Sequence, residues 1–246
     1  MKDISLTIVT ALDDEVRVVK SKTAVDTRIH IRPAMITTGK YEGHMIALMR
    51  SGVGATNMQK ACDYFLSNYN PKFCLHVGYC GSADPRFAPG DMIVGSKAVD
   101  DETGDEVLLD PELVEKALSV CKKASLKAVS GALVTTKKSI DLPHDKAFTG
   151  TKHGAIAIDM ESFVFAKACR EKNVPYIIVR SVFDPLDMAI PDFEKFLEND
   201  GSVDKISFIE DMIKHPKKIL KLPKFQYCAM QARQSITSFI DAWIQG

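Results

Sequence analysis

Three carboxylates stand at the ends of apolar runs, in settings that suit acid–base chemistry. Glu15 follows the run ISLTIVTAL within TALDDEV, Glu161 follows AIAIDM within AIDMESF, and Asp184 follows PYIIVRSV within RSVFDPLD. A carboxyl emerging at the edge of a dry core is desolvated, which raises its pKa and allows it to donate a proton near neutrality. Each has a plainer explanation when taken singly. Asp13, Asp14 and Glu15 suit the positive end of a helix dipole, Glu161 suits a helix cap, and Asp184 precedes Pro185. Together they meet the needs of chemistry on a glycosidic bond: an acid at the leaving group, a nucleophile on the other face, and contacts that hold the sugar as positive charge develops. Met160, between Asp159 and Glu161, is not what a solvated turn requires.

Two glycine-marked turns accompany these acids. RSGVGATN carries Arg50, Ser51, Gly52 and Gly54 from a strand into a helix, and VGYCGSADPRFAPGD carries Tyr79, Cys80 and Gly81 out of another strand. Glycines let backbone amides approach a ligand, and a helix N-terminus favours an anion or hydroxyl. Tight turns alone account for the same residues.

The elements that must position these groups follow from hydrophobic period. Strands are expected at 4–12, 31–39, 44–52, 73–81, 92–100, 127–136, 155–160 and 175–182. Helices are expected at 57–69, 112–124 and 162–173, the first with Met58, Ala61, Cys62, Phe65 and Leu66 on one stripe. Strands alternating with helices define an α/β sheet protein, in which ligands bind outside strand ends. After Asp184 the chain reads as helical segments broken by Pro191, Gly201, Pro216 and Pro223, so one domain of 246 residues with a helical C-terminal segment from about 192 is expected.

Composition excludes several function classes. With 32 basic and 32 acidic side chains the net charge is zero, which gives no electrostatic draw toward nucleic acid. No apolar stretch approaches the roughly 18 residues of a membrane span. The six cysteines are scattered without ligand spacing, as are the six histidines, so no metal is expected, and an acid, a base and a sugar clamp complete the chemistry without an organic cofactor. The start MKDISLTIVTALDDE lacks the apolar core of a signal peptide, and a reduced, cytoplasmic setting is the expectation.

The order and spacing of TALDDEV, SGVGATN, VGYCGSA with APGDMIV, AIDMES and VPYIIVRSVFDPLD resemble the nucleoside phosphorylase and nucleosidase superfamily. That superfamily includes methylthioadenosine/S-adenosylhomocysteine nucleosidases and purine nucleoside phosphorylases. The resemblance implies a three-layer α/β/α sandwich around a mixed, partly barrel-like sheet, and self-association into homo-oligomers. It implies that Met160 packs under a ribose, that Glu161 binds its hydroxyls, and that Asp184 faces purine N7. Protonating N7 makes the base a neutral leaving group and the ribosyl group oxocarbenium-like.

The resemblance also bears on the nucleophile. Phosphorylases hold phosphate with arginines at the positions of Glu15 and His76, whereas nucleosidases have a glutamate at the first of these, where it activates water. Glu15 therefore favours hydrolysis of a small purine nucleoside, with adenine as the base. Phosphorolysis is the alternative, with Arg50 and His76 as a phosphate site. A binding or storage protein on the same fold is the reading from another class. Ser51, Tyr79, Cys80, Gly81 and Ile140 are implied at the substrate. Tyr79 stands where methylthioadenosine-type nucleosidases have serine, and Ser139 in TTKKSID stands where they have a base-stacking aromatic.

DMES and the tail IKHPKKILKLPKFQYCAMQARQSI are similar to the hopanoid-associated phosphorylase-like branch, which is thought to remove adenine from an adenosylated lipid intermediate. Lys214, Lys217, Lys218, Lys221 and Lys224, interleaved with Ile219, Leu220, Leu222 and Phe225, suit either a membrane surface or an amphipathic helix covering the sheet. The second is the expectation.

Overall fold

The structure, a computed structural model, describes residues 2–189 and 222–246. Its strands are β1 (Lys2–Ile4), β2 (Leu6–Thr10), β3 (Ala24–Ile31), β4 (Ala34–Tyr41), β5 (His44–Arg50), β6 (Tyr69–Pro71), β7 (Cys74–Ser82), β8 (Met92–Asp100), β9 (Glu106–Leu108), β10 (Ala128–Thr135), β11 (Ala155–Asp159) and β12 (Tyr176–Asp184). Its helices are α1 (Arg17–Lys22), α2 (Ala55–Asn68), α3 (Pro111–Lys123), α4 (Pro143–His153), α5 (Ser162–Glu171) and α6 (Leu222–Gln245), with a 3-10 turn at Asp13–Val16.

The main sheet runs in the order β11-β10-β8-β12-β7-β2-β5-β4-β3, and a further pairing of β11 with β7 closes five of its strands into a barrel. Ile158 sits opposite Gly81 at that closure. The sheet is mixed: β12 lies parallel to β7 and antiparallel to β8. Strands buried on both faces read as largely apolar runs, and β7, β8 and β12 contribute Leu75, Val77, Ile93, Val94, Ile177, Ile178 and Val179 to the core. The α/β expectation, with a partly barrel-like sheet and helices around it, holds.

Local differences from expectation have physical causes. The first strand divides at Ser5, and its leading half, β1, pairs with β6 in a separate two-stranded sheet. The strand expected at 31–39 lies at 34–41 and forms a hairpin with β3. Most of β3 is exposed, so it lacks the apolar alternation that marks a half-buried strand. Helix α4 has no apolar stripe because its buried positions are Lys146, Thr149 and Gly150. On α2, by contrast, the buried residues are Met58, Ala61, Cys62, Phe65 and Leu66, the stripe read from the sequence.

Pro223 falls in the first turn of α6, where a missing amide donor costs nothing. Phe225, Cys228, Ala232, Ile236, Phe239 and Trp243 bury one face of this helix, and Lys224 is exposed. Where it is described, the tail therefore covers the sheet. The expected helical segments and breaks between Pro191 and Pro216, together with Lys214, Lys217, Lys218 and Lys221, lie outside the described residues. No helix among the described residues is long and apolar enough to cross a membrane.

Candidate active site

A cavity of about 170 Å³ opens at the ends of β7, β11 and β12. Glu15, Tyr79, Cys80, Gly81, Ile140, Met160, Glu161 and Asp184 all line it. Residues separated by up to 169 positions thus meet because three strand ends and the 3-10 turn converge there. The three other expected residues are placed elsewhere. Ser51 is buried and donates to Thr10 O (3.1 Å) and Gly52 O (2.8 Å). Arg50 donates to Pro33 O at 3.1 Å and lies 3.5 Å from Asp13 Oδ2. His76 is wholly buried against Phe165, with its ring within 3.1 Å of Arg180 Nη2. Desolvation, with the Arg180 charge beside it, holds the His76 pKa well below its ordinary value. A neutral, buried imidazole offers no charge to a dianion.

Glu15 is held by backbone amides. Its Oε2 accepts from Ala11 N (2.9 Å) and Leu12 N (2.8 Å), and its Oε1 accepts from Tyr79 N (2.9 Å). A carboxylate has about four acceptor positions, so one remains for a group in the cavity. Burial raises its pKa; the amides of Leu12, Tyr79 and Ala11 and the charge of Arg180 oppose that rise. Tyr79 also reaches back through its hydroxyl, which donates to Asp14 Oδ2 at 2.9 Å.

The AIDMESF segment resolves into a division of labour. Asp159 caps α5, accepting from Ser162 N (3.1 Å) and Glu161 N (3.3 Å), and it also accepts from Thr135 Oγ1 (2.9 Å) and Arg180 Nε (2.7 Å). Glu161 is thereby released from capping. Its Oε1 accepts instead from Gly54 N at 2.6 Å, so the SGVG turn supplies an amide to the carboxylate rather than directly to a ligand. Desolvation, and then the charge of Asp159, raises the Glu161 pKa to about 7, against the pull of Arg180 and the Gly54 amide.

Asp184 is aimed by a β-bulge. The register of β12 on β7 shifts between Val182 and Asp184, which places Asp184 opposite Gly81. Phe183, at the bulge, also lines the cavity and stacks on Tyr79 with ring centroids 5.7 Å apart. Desolvation raises the Asp184 pKa to about 6 even though Lys146 acts to lower it.

Two buried cations at this site were not singled out from the sequence. Arg180 pairs with Asp159 beneath the cavity, and Lys146 of α4 pairs with Asp184. Arg180 had a readable signal, since a charge inside the apolar run YIIVRSV must find a partner when buried. Lys146 had none, because KAFTGTK reads as a solvated segment.

The chain belongs to the phosphorylase superfamily, whose sequence model matches residues 5–207. A 5'-methylthioadenosine/S-adenosylhomocysteine nucleosidase of Staphylococcus haemolyticus is 25% identical over 225 residues, covering 84% of this chain and 98% of the relative. The fold is similar to that of the Campylobacter jejuni 5'-methylthioadenosine/S-adenosyl homocysteine nucleosidase, with a TM-score of 0.75 and 18% identity over 99% of this chain and 100% of that one. It is also similar to the futalosine hydrolase of Helicobacter pylori, with a TM-score of 0.73 and 16% identity over 97% of each chain.

Proposed function

We propose that this protein is a nucleosidase that cleaves the N-glycosidic bond of a purine nucleoside, adenine being the favoured base, with water as the nucleophile. The observation that carries the reading is the convergence of Glu15, Glu161 and Asp184 on one cavity. Burial places the pKa of Asp184 at about 6 and that of Glu161 at about 7. Asp184 in its protonated form donates to N7, the bond from C1′ to N9 breaks, and the base leaves neutral. Glu15 takes a proton from water, and the water oxygen forms the new bond to C1′. Met160 supplies the apolar floor of the ribose, and Glu161 accepts its hydroxyls. Proton return from Glu15 to Asp184 through solvent completes the cycle.

A carboxylate at position 15 disfavours phosphate electrostatically. The described residues lining the cavity bring one cation, Lys146, which already pairs with Asp184. The six cysteines are free and buried, in keeping with a reducing cytoplasmic setting. The test is incubation with methylthioadenosine, S-adenosylhomocysteine, adenosine and inosine, with and without phosphate, followed by analysis of free base and sugar product. Free base with unphosphorylated sugar is expected. Strict dependence on phosphate with release of ribose 1-phosphate overturns hydrolysis, and tight binding without base release points to a storage or binding role.

A further inference from the structure

Lys146 is 1% exposed, on a helix whose remaining buried positions are small or polar. Its ammonium donates to Asp184 Oδ2, to Met188 O at 2.9 Å and, more distantly, to Pro185 O at 3.5 Å. The three donors of a lysine are thus directed to the proposed acid and to the chain that leaves β12 just beyond it. A buried lysine is costly to desolvate, and replacing such a pair by packed apolar residues is often neutral or stabilising. Stability alone is therefore a weak reason for it.

We propose that Lys146 is a positioning residue for glycosidic cleavage, whose ammonium aims the Asp184 carboxyl into the cavity and stabilises the carboxylate formed when the proton passes to the leaving base. This inference rests on Asp184 acting as the acid. As the base departs, the O–H bond of Asp184 breaks, an N7–H bond forms, and negative charge develops on Asp184 beside a fixed cation in a water-poor site. A charge stabilised only as it develops lowers the barrier.

The other groups facing Asp184 do not substitute for that cation. Asp141, in the loop before α4, adds negative charge and acts to raise the Asp184 pKa. The thiols of Cys80 on β7 and Cys228 on α6 also lie near it, and burial raises the pKa of both, which keeps them neutral. Lysine 146 is thus the charge that opposes desolvation at this carboxyl.

The experiment compares wild type with Lys146→Met, Lys146→Gln and Lys146→Arg in purine nucleoside cleavage across pH. Activity that needs protonated Asp184 falls as pH rises through its pKa. Removing an opposite charge raises a carboxyl pKa by about 1 pH unit or more. In Lys146→Met and Lys146→Gln that descending limb moves to higher pH by this amount, while kcat at the optimum falls about tenfold or more with a smaller change in KM; Lys146→Arg keeps the limb near its wild-type position.

A ligand-free readout is ¹³C NMR titration of the Asp184 carboxyl, assigned through Asp184→Asn, which must show the same upward movement. If neither neutral variant folds, the arginine variant and wild type are titrated with increasing salt, and a buried pair predicts a limb that salt does not move. An unmoved limb in a folded neutral variant, or a limb that salt shifts, overturns the inference. Loss of turnover in Asp184→Asn with an unmoved limb in Lys146→Met removes Lys146 alone. Full turnover in Asp184→Asn removes the acid assignment itself.

Discussion

The guanidinium of Arg180 packs so closely over Gly78 that a Cβ there would lie 2.4 Å from Nη1 of Arg180 and 2.8 Å from Oε1 of Glu15. The two residues face each other because β12 and β7 run in parallel with Arg180 paired to Gly78. A missing side chain on one strand is what lets a buried cation reach the proposed base. Gly78→Ala must displace Arg180 or Glu15, and overpacking a close-packed core costs about 1–3 kcal/mol. The expected outcome is a lower melting temperature together with at least a tenfold loss of kcat. Gly81→Ala meets Asp184 Oδ2 at 3.0 Å, a milder approach, and is expected to lose less stability while perturbing the acid. Wild-type melting and activity in Gly78→Ala would show that close packing is not what fixes Glu15.

Glu15, Glu161 and Asp184 could be read from the chain because each follows an apolar run, and strand ends are where an α/β sheet places its ligand. The positions of most strands and the stripe on α2 follow from hydrophobic period, which depends on burial of apolar side chains, whereas the partly barrel-like sheet is implied only by the family resemblance and the strand order is seen only in the structure. That signal fails where burial is not apolar. Helix α4 turns Lys146, Thr149 and Gly150 inward, and β3 is mostly exposed, so neither shows a period. Asp159 has no role legible in the chain for a different reason: its partners Thr135 and Arg180 come from other strands, and pairing across a sheet is not written in local spacing. His76 and Arg50 illustrate the converse. Their residue types suit phosphate, but register directs them to Arg180 and to Asp13.

Phe183 supplies an aromatic surface that TTKKSID lacks. Its ring lies beside those of Tyr79 and Phe225, with centroid separations of 5.7 and 6.4 Å, and lines the cavity together with Asp184. Stacking of a base on an aromatic ring is worth about 1–3 kcal/mol by alanine substitution. Phe183→Ala is expected to raise KM for a purine nucleoside roughly tenfold or more, with a smaller change in kcat, whereas Phe183→Tyr retains most affinity. Steady-state kinetics on the preferred nucleoside decide the matter, and an unchanged KM in the alanine variant removes Phe183 from the base site.

Glu161 carries a stability signature with a definite sign. Its pKa rises from 4.5 to about 7 on folding, so the folded state binds more protons than the unfolded state between those values. Its contribution is fully present below pH 4.5 and is lost as pH rises through about 7. Glu161→Gln abolishes this titration and keeps an oxygen acceptor for Gly54 N. Relative to wild type, the variant is expected to gain stability as pH rises from about 4.5 to 8, with Tm shifting by about 2–4 °C per kcal/mol for a chain of this size. Thermal melts of both proteins at pH 4, 6 and 8 test this, and a Tm difference that does not vary with pH contradicts it. The same variant is expected to weaken nucleoside binding, because Glu161 is the residue proposed to accept the ribose hydroxyls, a function kept at a cost in stability.

Acid and base roles separate by leaving group. Asp184→Asn cannot donate a carboxyl proton to N7, so turnover of a purine nucleoside is expected to fall by about 10²–10⁴-fold. A riboside of 4-nitrophenol releases a stabilised phenolate as its leaving group and needs no such proton, so Asp184→Asn should cleave it at a rate near that of wild type. Glu15→Gln removes activation of water, which both substrates require, and should slow the two alike. The geometry supports this division: Glu15 is fixed by the amides of Ala11, Leu12 and Tyr79 on one side of the cavity, and Asp184 by the β12 bulge and Lys146 on another. Equal losses on both substrates in Asp184→Asn would instead assign that residue to binding or to activation of water, and would remove its role as the acid.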